Sequence, residues 1–124
     1  MTFDWVGYLS LAEELAGQGK TPSTQEAKLR SAVSRAYYAA FCKARNRLRD
    51  QEDTKLPPFD VHRFVWDQFK NSDSAARREI GTNGDRLKKD RVKADYDDTI
   101  PNVASLTVKA LRLSSQILNR LDRL

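Results

Sequence analysis

The sequence predicts an all-α protein: an antiparallel up-and-down bundle of four or five helices, formed as one domain over residues 1–124. Three observations carry that expectation. Leu29, Val33, Ala36, Tyr37, Ala40, Ala44 and Leu48 recur at the three- and four-residue spacing of one helical face. Val103, Leu106, Ala110, Leu113, Ile117, Leu121 and Leu124 form a second stripe with the spacing of a bundle seam. No alternating strand pattern, internal repeat or low-complexity tract competes with them.

A first helix is expected over 3–16, where Trp5, Tyr8, Leu9, Ala12 and Leu15 keep helical spacing before Gly17 and Gly19. After Pro22, Ser23-Thr24-Gln25-Glu26 reads as a capping box, in which each side chain answers a backbone donor at the other's end. The second helix then runs over about 24–50 and ends before Pro57-Pro58. A third, over about 59–70, presents His62, Val65, Trp66 and Phe69 on one side. Between Asn71 and Gly84 the pattern predicts a short helix over 75–80 set among turn residues, followed by a charged helix over 85–94. The last helix starts near Pro101, a favoured first-turn residue, and runs to Leu124 as core and dimer seam.

Composition bounds the functional classes. A chain of 124 residues buries roughly two thirds of its unfolded surface in one core. The balance of 22 basic to 17 acidic residues permits an anionic partner such as RNA. The one cysteine, Cys42, supports neither a disulfide framework nor a metal cluster, and it reads as a small packing residue in a reducing, cytoplasmic protein. No apolar run approaches the roughly 18 residues of a membrane span, and the first residues lack a secretory pattern.

Several site types are set aside on residue pattern. Gly81 and Gly84 are followed by no lysine-serine pair, so there is no phosphate loop. One histidine and one cysteine make no zinc site, and no metal or other cofactor is expected. The cluster Asp95, Asp97 and Asp98 lacks the ligand spacing and glycine of a calcium loop and reads as a solvated turn. Ser34 and His62 have no nucleophile turn around them.

Two polar constellations remain. Arg30 to Cys42 places Ser34, Arg35, Tyr37 and Tyr38 on an otherwise apolar helix, where buried tyrosine tips need partners. Arg91 and Asp95 stand four apart, in reach of an ion pair, with Tyr96 just beyond. Upstream, Arg86, Lys88, Lys89 and Lys93 make a basic surface suited to a phosphate backbone, despite Asp85 and Asp90. The bland alternative is a solvated helix followed by a tyrosine that plugs the core.

Taken in order, Ser34-Arg35-Ala36-Tyr37-Tyr38-Ala39-Ala40-Phe41, then His62 with Val65 and Phe69, then Arg91-Val92-Lys93-Ala94-Asp95-Tyr96, resemble the HEPN (higher eukaryotes and prokaryotes nucleotide-binding) family over about residues 5–122. The resemblance implies a HEPN-like bundle that often dimerises and is frequently encoded beside a minimal nucleotidyltransferase antitoxin. Many members are metal-independent ribonucleases of toxin–antitoxin, CRISPR or phage-defence systems. Their motif is an arginine, four to six variable residues, then a histidine. Here Arg91 fits the arginine, and Asp95 or Tyr96 stands where the histidine would fall.

Three readings follow. The first is a HEPN-like ribonuclease toxin with a divergent site of Arg91, Asp95 and Tyr96, supported by Arg35, Tyr38, Ser34, His62, Lys88 and Lys89. Cleavage through the RNA 2′-hydroxyl needs a base, an acid and positive charge over the phosphorane. Arg91 supplies the charge; Tyr96 is a poor base near its ordinary pKa of about 10. An ion pair with Arg91 lowers the basicity of Asp95. His62 alone has a suitable pKa, although on the stripe with Val65, Trp66 and Phe69 a hydrogen-bonded structural histidine is the commoner outcome. The second reading is a non-catalytic module that binds RNA, a nucleotide or a partner protein through the same cleft. The third is a structural partner subunit, bound to an antitoxin or an enzyme, whose polar cluster only fixes the bundle.

Overall fold

In a computed structural model the described residues are 3–6, 11, 14–15 and 24–124. They are all helical or irregular, with no strand among them. The helix expected over 3–16, its stop at Gly17 and Gly19, Pro22 and Ser23 fall wholly or partly outside the described residues.

Four helices pack against one another: α1 (Gln25–Asn46), α2 (Val61–Lys70), α3 (Ala75–Tyr96) and α4 (Val103–Asp122). Thr24 caps α1, its Oγ1 accepting from the Ala27 amide at 3.2 Å. Glu26 does not complete a capping box, because its carboxylate turns to Arg30 at 2.9 Å. Beyond Asn46 the helix continues as a π-helical turn over Arg47–Gln51. Glu52 then accepts from Arg47 Nε at 2.9 Å and from both terminal nitrogens of Arg77, at 2.8 and 3.0 Å. That knot ties the end of α1 to the start of α3.

The order of contacts fixes the helix directions. Arg30, early in α1, meets Ala94, late in α3, whereas Glu52, just past α1, meets Arg77 in the first turn of α3. On the other side of α3, Glu79 pairs with Arg120 and Asp90 with Lys109. So α3 runs antiparallel to both α1 and α4. In turn α1 and α4 run the same way, with the Thr107 hydroxyl donating to the Leu29 carbonyl at 3.2 Å and the Ser114 hydroxyl to Ala36 at 2.7 Å. Ala36, Ala40 and Ala110, all buried, permit that close approach. Both expected stripes face the core; Leu29, Val103 and Leu106 are half-buried at its edge and Leu124 is exposed.

One boundary expectation is corrected. The segments expected over 75–80 and 85–94 are a single helix, capped by Ser74, that passes through both glycines. Gly81 and Gly84 are buried in its interior because α2 crosses there. A methyl carbon at Gly81 would stand 2.6 Å from the Lys70 amide nitrogen and 2.7 Å from the Trp66 carbonyl oxygen. At Gly84 it would overlap Cε3, Cδ2 and Cζ3 of the Trp66 ring. The glycines are contact points, not breaks. Two starts also shift: α2 begins at Val61, after Asp60 in the left-handed region (φ 54°), and α4 begins at Val103 under an Asn102 cap, just after Pro101.

Candidate functional site

Directions and registers bring the two polar constellations together. Because α1 and α3 are antiparallel, Ser34 lies opposite Asp95 and Tyr38 opposite Arg91. Arg91 Nε donates to Asp95 Oδ2 at 2.9 Å, and the Ser34 hydroxyl reaches the same oxygen at 3.4 Å. Both ion-pair side chains are mostly buried, at 15% and 19% exposure. The Arg91 guanidinium lies over two rings, 5.4 Å from the centroid of Tyr38 and 5.7 Å from that of Tyr37. Its terminal nitrogens make no hydrogen bond among the described residues.

His62 enters this cluster from the first turn of α2. Trp66 Nε1 donates to the Tyr37 hydroxyl at 3.1 Å, and that hydroxyl lies 2.7 Å from His62 Nδ1. An indole N–H only donates, so the Tyr37 oxygen accepts from Trp66; the acceptor within reach of its own O–H among the described residues is His62 Nδ1. With Tyr37 donating to Nδ1, the imidazole is neutral and carries its proton on Nε2. Burial pushes the Tyr37 hydroxyl up to about 12, so it stays protonated. Phe41 stacks on the imidazole with centroids 4.0 Å apart and nearly parallel planes. Burial, then the charges of Arg91, Lys88 and Arg45, hold His62 below the ordinary imidazole pKa.

A pH prediction follows with a definite sign. The unfolded chain takes up the His62 proton near pH 6.5, before the folded protein does. Stability present above that pH therefore declines as the pH falls from there towards the lower folded pKa. The groups facing the ring are Tyr37, Tyr38, Phe41, Arg91, Lys88 and Arg45. Urea unfolding between pH 7.5 and 5.5 is expected to weaken more in the native protein than in His62→Gln. Equal slopes for the two would refute this account of the ring.

Beside the cluster, α2 and α3 enclose a groove of about 610 Å³ lined by Arg63, Lys70, Lys88, Lys89, Val92 and Lys93 together with Asp67 and Asp85. The acids of α3 do little to neutralise its lysines. Asp85 pairs with Lys70 of α2. Asp90, 3% exposed, turns inward to Lys109 of α4 at 3.2 Å. Lys88, Lys89 and Lys93 have no carboxylate partner among the described residues.

The residues singled out in the sequence divide accordingly. Arg91, Asp95, Ser34 and Tyr38 meet directly, His62 joins them through Tyr37, and Lys88 and Lys89 line the adjoining groove. Tyr96 stands at the end of the same helix and is 68% exposed, so it does not plug the core. Arg35 is exposed and turned to the Ser31 hydroxyl at 3.4 Å, away from Arg91. Asp97 and Asp98 join no cation site: among the described residues no group of three or more His, Cys, Asp or Glu is placed to hold a metal ion. Cys42 is half-buried and packs against the core.

Sequence reasoning missed Arg45 and the wholly buried Arg30. It placed Tyr37 in the core and Trp66 on a stripe without joining them to His62. The need of a buried tyrosine tip for a partner was the available signal, but periodicity does not say which residue answers it. No family model, curated protein or solved structure matches the chain. No helix among the described residues is long and apolar enough to cross a membrane.

Proposed function

We propose that the chain is a HEPN-like, RNA-acting module that holds single-stranded RNA along the basic face of α3, with Arg91 as the phosphate clamp. One observation carries the reading: Lys88, Lys89 and Lys93 are uncompensated beside a guanidinium whose terminal nitrogens make no hydrogen bond among the described residues. Tyr38 and Tyr96, 39% and 68% exposed, add ring faces for unstacked bases. Neutralised phosphates release counterions, which makes such binding strongly salt-dependent.

Binding fits the geometry better than cleavage. Asp95 is held through Oδ2 by Arg91 and Ser34, and His62 Nδ1 is engaged by Tyr37, so neither group is presented as an unencumbered base. The ribonuclease toxin, with Arg91, Asp95 and Tyr96 as its divergent site, is the reading to test beside it. A homodimer and a nucleotidyltransferase antitoxin, or another defence-system protein, are the partners that the family resemblance suggests.

Fluorescence anisotropy with a labelled single-stranded RNA tests the proposal. Replacing Lys88, Lys89 and Lys93 together by alanine is expected to weaken binding about tenfold or more at low salt and to reduce the logarithmic salt slope by about 2. Arg91→Ala, folded by circular dichroism, is expected to lose binding as well. Unchanged affinity in both variants refutes RNA binding at this face, and unfolding of Arg91→Ala favours a purely structural pair. Products ending in a cyclic phosphate, formed with divalent ions chelated and abolished by Arg91→Ala, would convert the binder into a ribonuclease.

A further inference from the structure

Just before α2 stands an aromatic ring that the fold does not use. Phe59 is 81% exposed, more than any other large hydrophobic side chain among the described residues. It precedes Asp60, the N-cap residue of α2, and so holds the place from which an apolar side chain commonly packs on the fourth residue of the helix, here Phe64. At that exposure Phe59 makes no such staple. Asp60 leaves its ordinary task undone as well: its side chain caps no amide, and its backbone lies in the left-handed region at φ 54°. A non-glycine residue there carries local strain, and strained backbone clusters where ligands bind. Pro57 and Pro58, each with φ fixed at about −65°, stiffen the approach, so the ring is presented with little conformational freedom left to lose.

The surroundings of Phe59 say what it meets. Arg63, four residues on, lines the groove between α2 and α3 together with Lys88, Lys89 and Lys93. His62, where the hydrogen-bonded relay from Trp66 through Tyr37 ends, is three residues on, a length of chain that spans at most about 11 Å. The Tyr38 ring, 39% exposed, lies 6.0 Å from the imidazole. Phe59 therefore stands at the mouth of the groove, at the end of α2 that Tyr38 approaches. Charge then divides a ligand between the two surfaces. Asp60, exposed beside Phe59, repels a phosphate, whereas the lysines of α3 attract one. A nucleic-acid strand answers both by laying its phosphates along α3 and turning an uncharged base onto the ring. Such stacking suits every base but requires one that is unpaired.

We infer that Phe59 is a base-stacking residue: it takes one unpaired nucleobase of a single-stranded RNA at the mouth of the α2–α3 groove, while the neighbouring phosphates lie on the lysines of α3. The inference rests on the RNA reading above and adds to it a contact with the base rather than the backbone.

Anisotropy with a labelled oligouridylate tests it on the native chain, Phe59→Ala and Phe59→Leu, each checked for fold by circular dichroism. Phe59→Ala is expected to weaken binding about tenfold, and Phe59→Leu nearly as much, because leucine is apolar but has no π-face. The logarithmic salt slope is expected to stay the same, since no phosphate contact is lost. Replacing each uridine in turn by an abasic residue closes a double-mutant cycle between base and ring. One abasic position is expected to cost the native protein about tenfold and Phe59→Ala almost nothing. Unchanged affinity in Phe59→Ala, full affinity in Phe59→Leu, or abasic losses that are equal with and without the ring overturn the stacking role and leave RNA binding intact. Normal RNA affinity in Phe59→Ala with loss of self-association on gel filtration overturns it too, and assigns the ring to a contact between copies of the chain. If the native protein binds no RNA, the stacking role and the RNA reading fall together.

Discussion

Arg30→Met is expected to lower the unfolding free energy by about 2–5 kcal/mol, read by urea denaturation at neutral pH. Arg30 is wholly buried, and one terminal nitrogen donates to the Ala94 carbonyl at 2.9 Å and the Asp97 carbonyl at 2.7 Å. Those oxygens belong to the C-terminal end of α3, where carbonyls lack intrahelical partners and the helix dipole favours a cation. The guanidinium also sits over Phe3 at 4.2 Å and Trp5 at 5.1 Å, so it anchors part of the N-terminal segment to the same corner. Methionine fills much of the volume and satisfies none of the carbonyls. Glu26→Gln provides the contrast. The Glu26 side chain is 40% exposed, so its ion pair with Arg30 is worth at most about 1 kcal/mol. Equal losses from the two substitutions would place the energy in the ion pair and refute the carbonyl clamp.

Gly84→Ala is expected to destabilise the protein by about 1–3 kcal/mol, the opposite sign from helix propensity alone. In an open helix the change would add about 1 kcal/mol, because alanine restricts the unfolded chain and glycine does not. Here the new methyl would overlap the Trp66 ring, and Trp66 is wholly buried and hydrogen-bonded to Tyr37, so it has nowhere to retreat. Thr82→Ala, exposed on the same helix, controls for propensity and is expected to be neutral or slightly stabilising. The displaced indole would also disturb the Tyr37–His62 relay. A loss of stability at Gly84 with normal His62 resonances would separate packing from the relay.

Much of the fold was legible before any coordinates. Leu29 to Leu48 and Leu106 to Leu121 declared two helices and the faces they bury, because a stripe at helical spacing has one low-energy way to leave water. The Ser23-Thr24-Gln25-Glu26 box marked the start of α1 for an equally local reason, since a side-chain oxygen answers an amide three residues on, although the oxygen that does so is that of Thr24. The like cap of α3 by Ser74 was not read. The glycines of α3 misled because a glycine in a helix and a glycine in a turn look alike in sequence. What distinguishes them is Trp66, fifteen or more residues away in the chain. The Arg91–Asp95 pair was legible for the same local reason as the caps, while the groups on its open side were not.

By itself the sequence determined the helical class, the buried stripes and the Arg91–Asp95 spacing, all of which follow from interactions within a turn or two of chain. Only the tertiary structure decided that Arg35 faces away while Arg45 and His62 face in, and that Tyr37 joins His62 to Trp66. It also decided that the acids of α3 are spent on Lys70 and Lys109, leaving its lysines uncompensated. The reason is physical: charge and hydrogen bonding are settled between helices, by rotation and register, and those are fixed by the whole core at once.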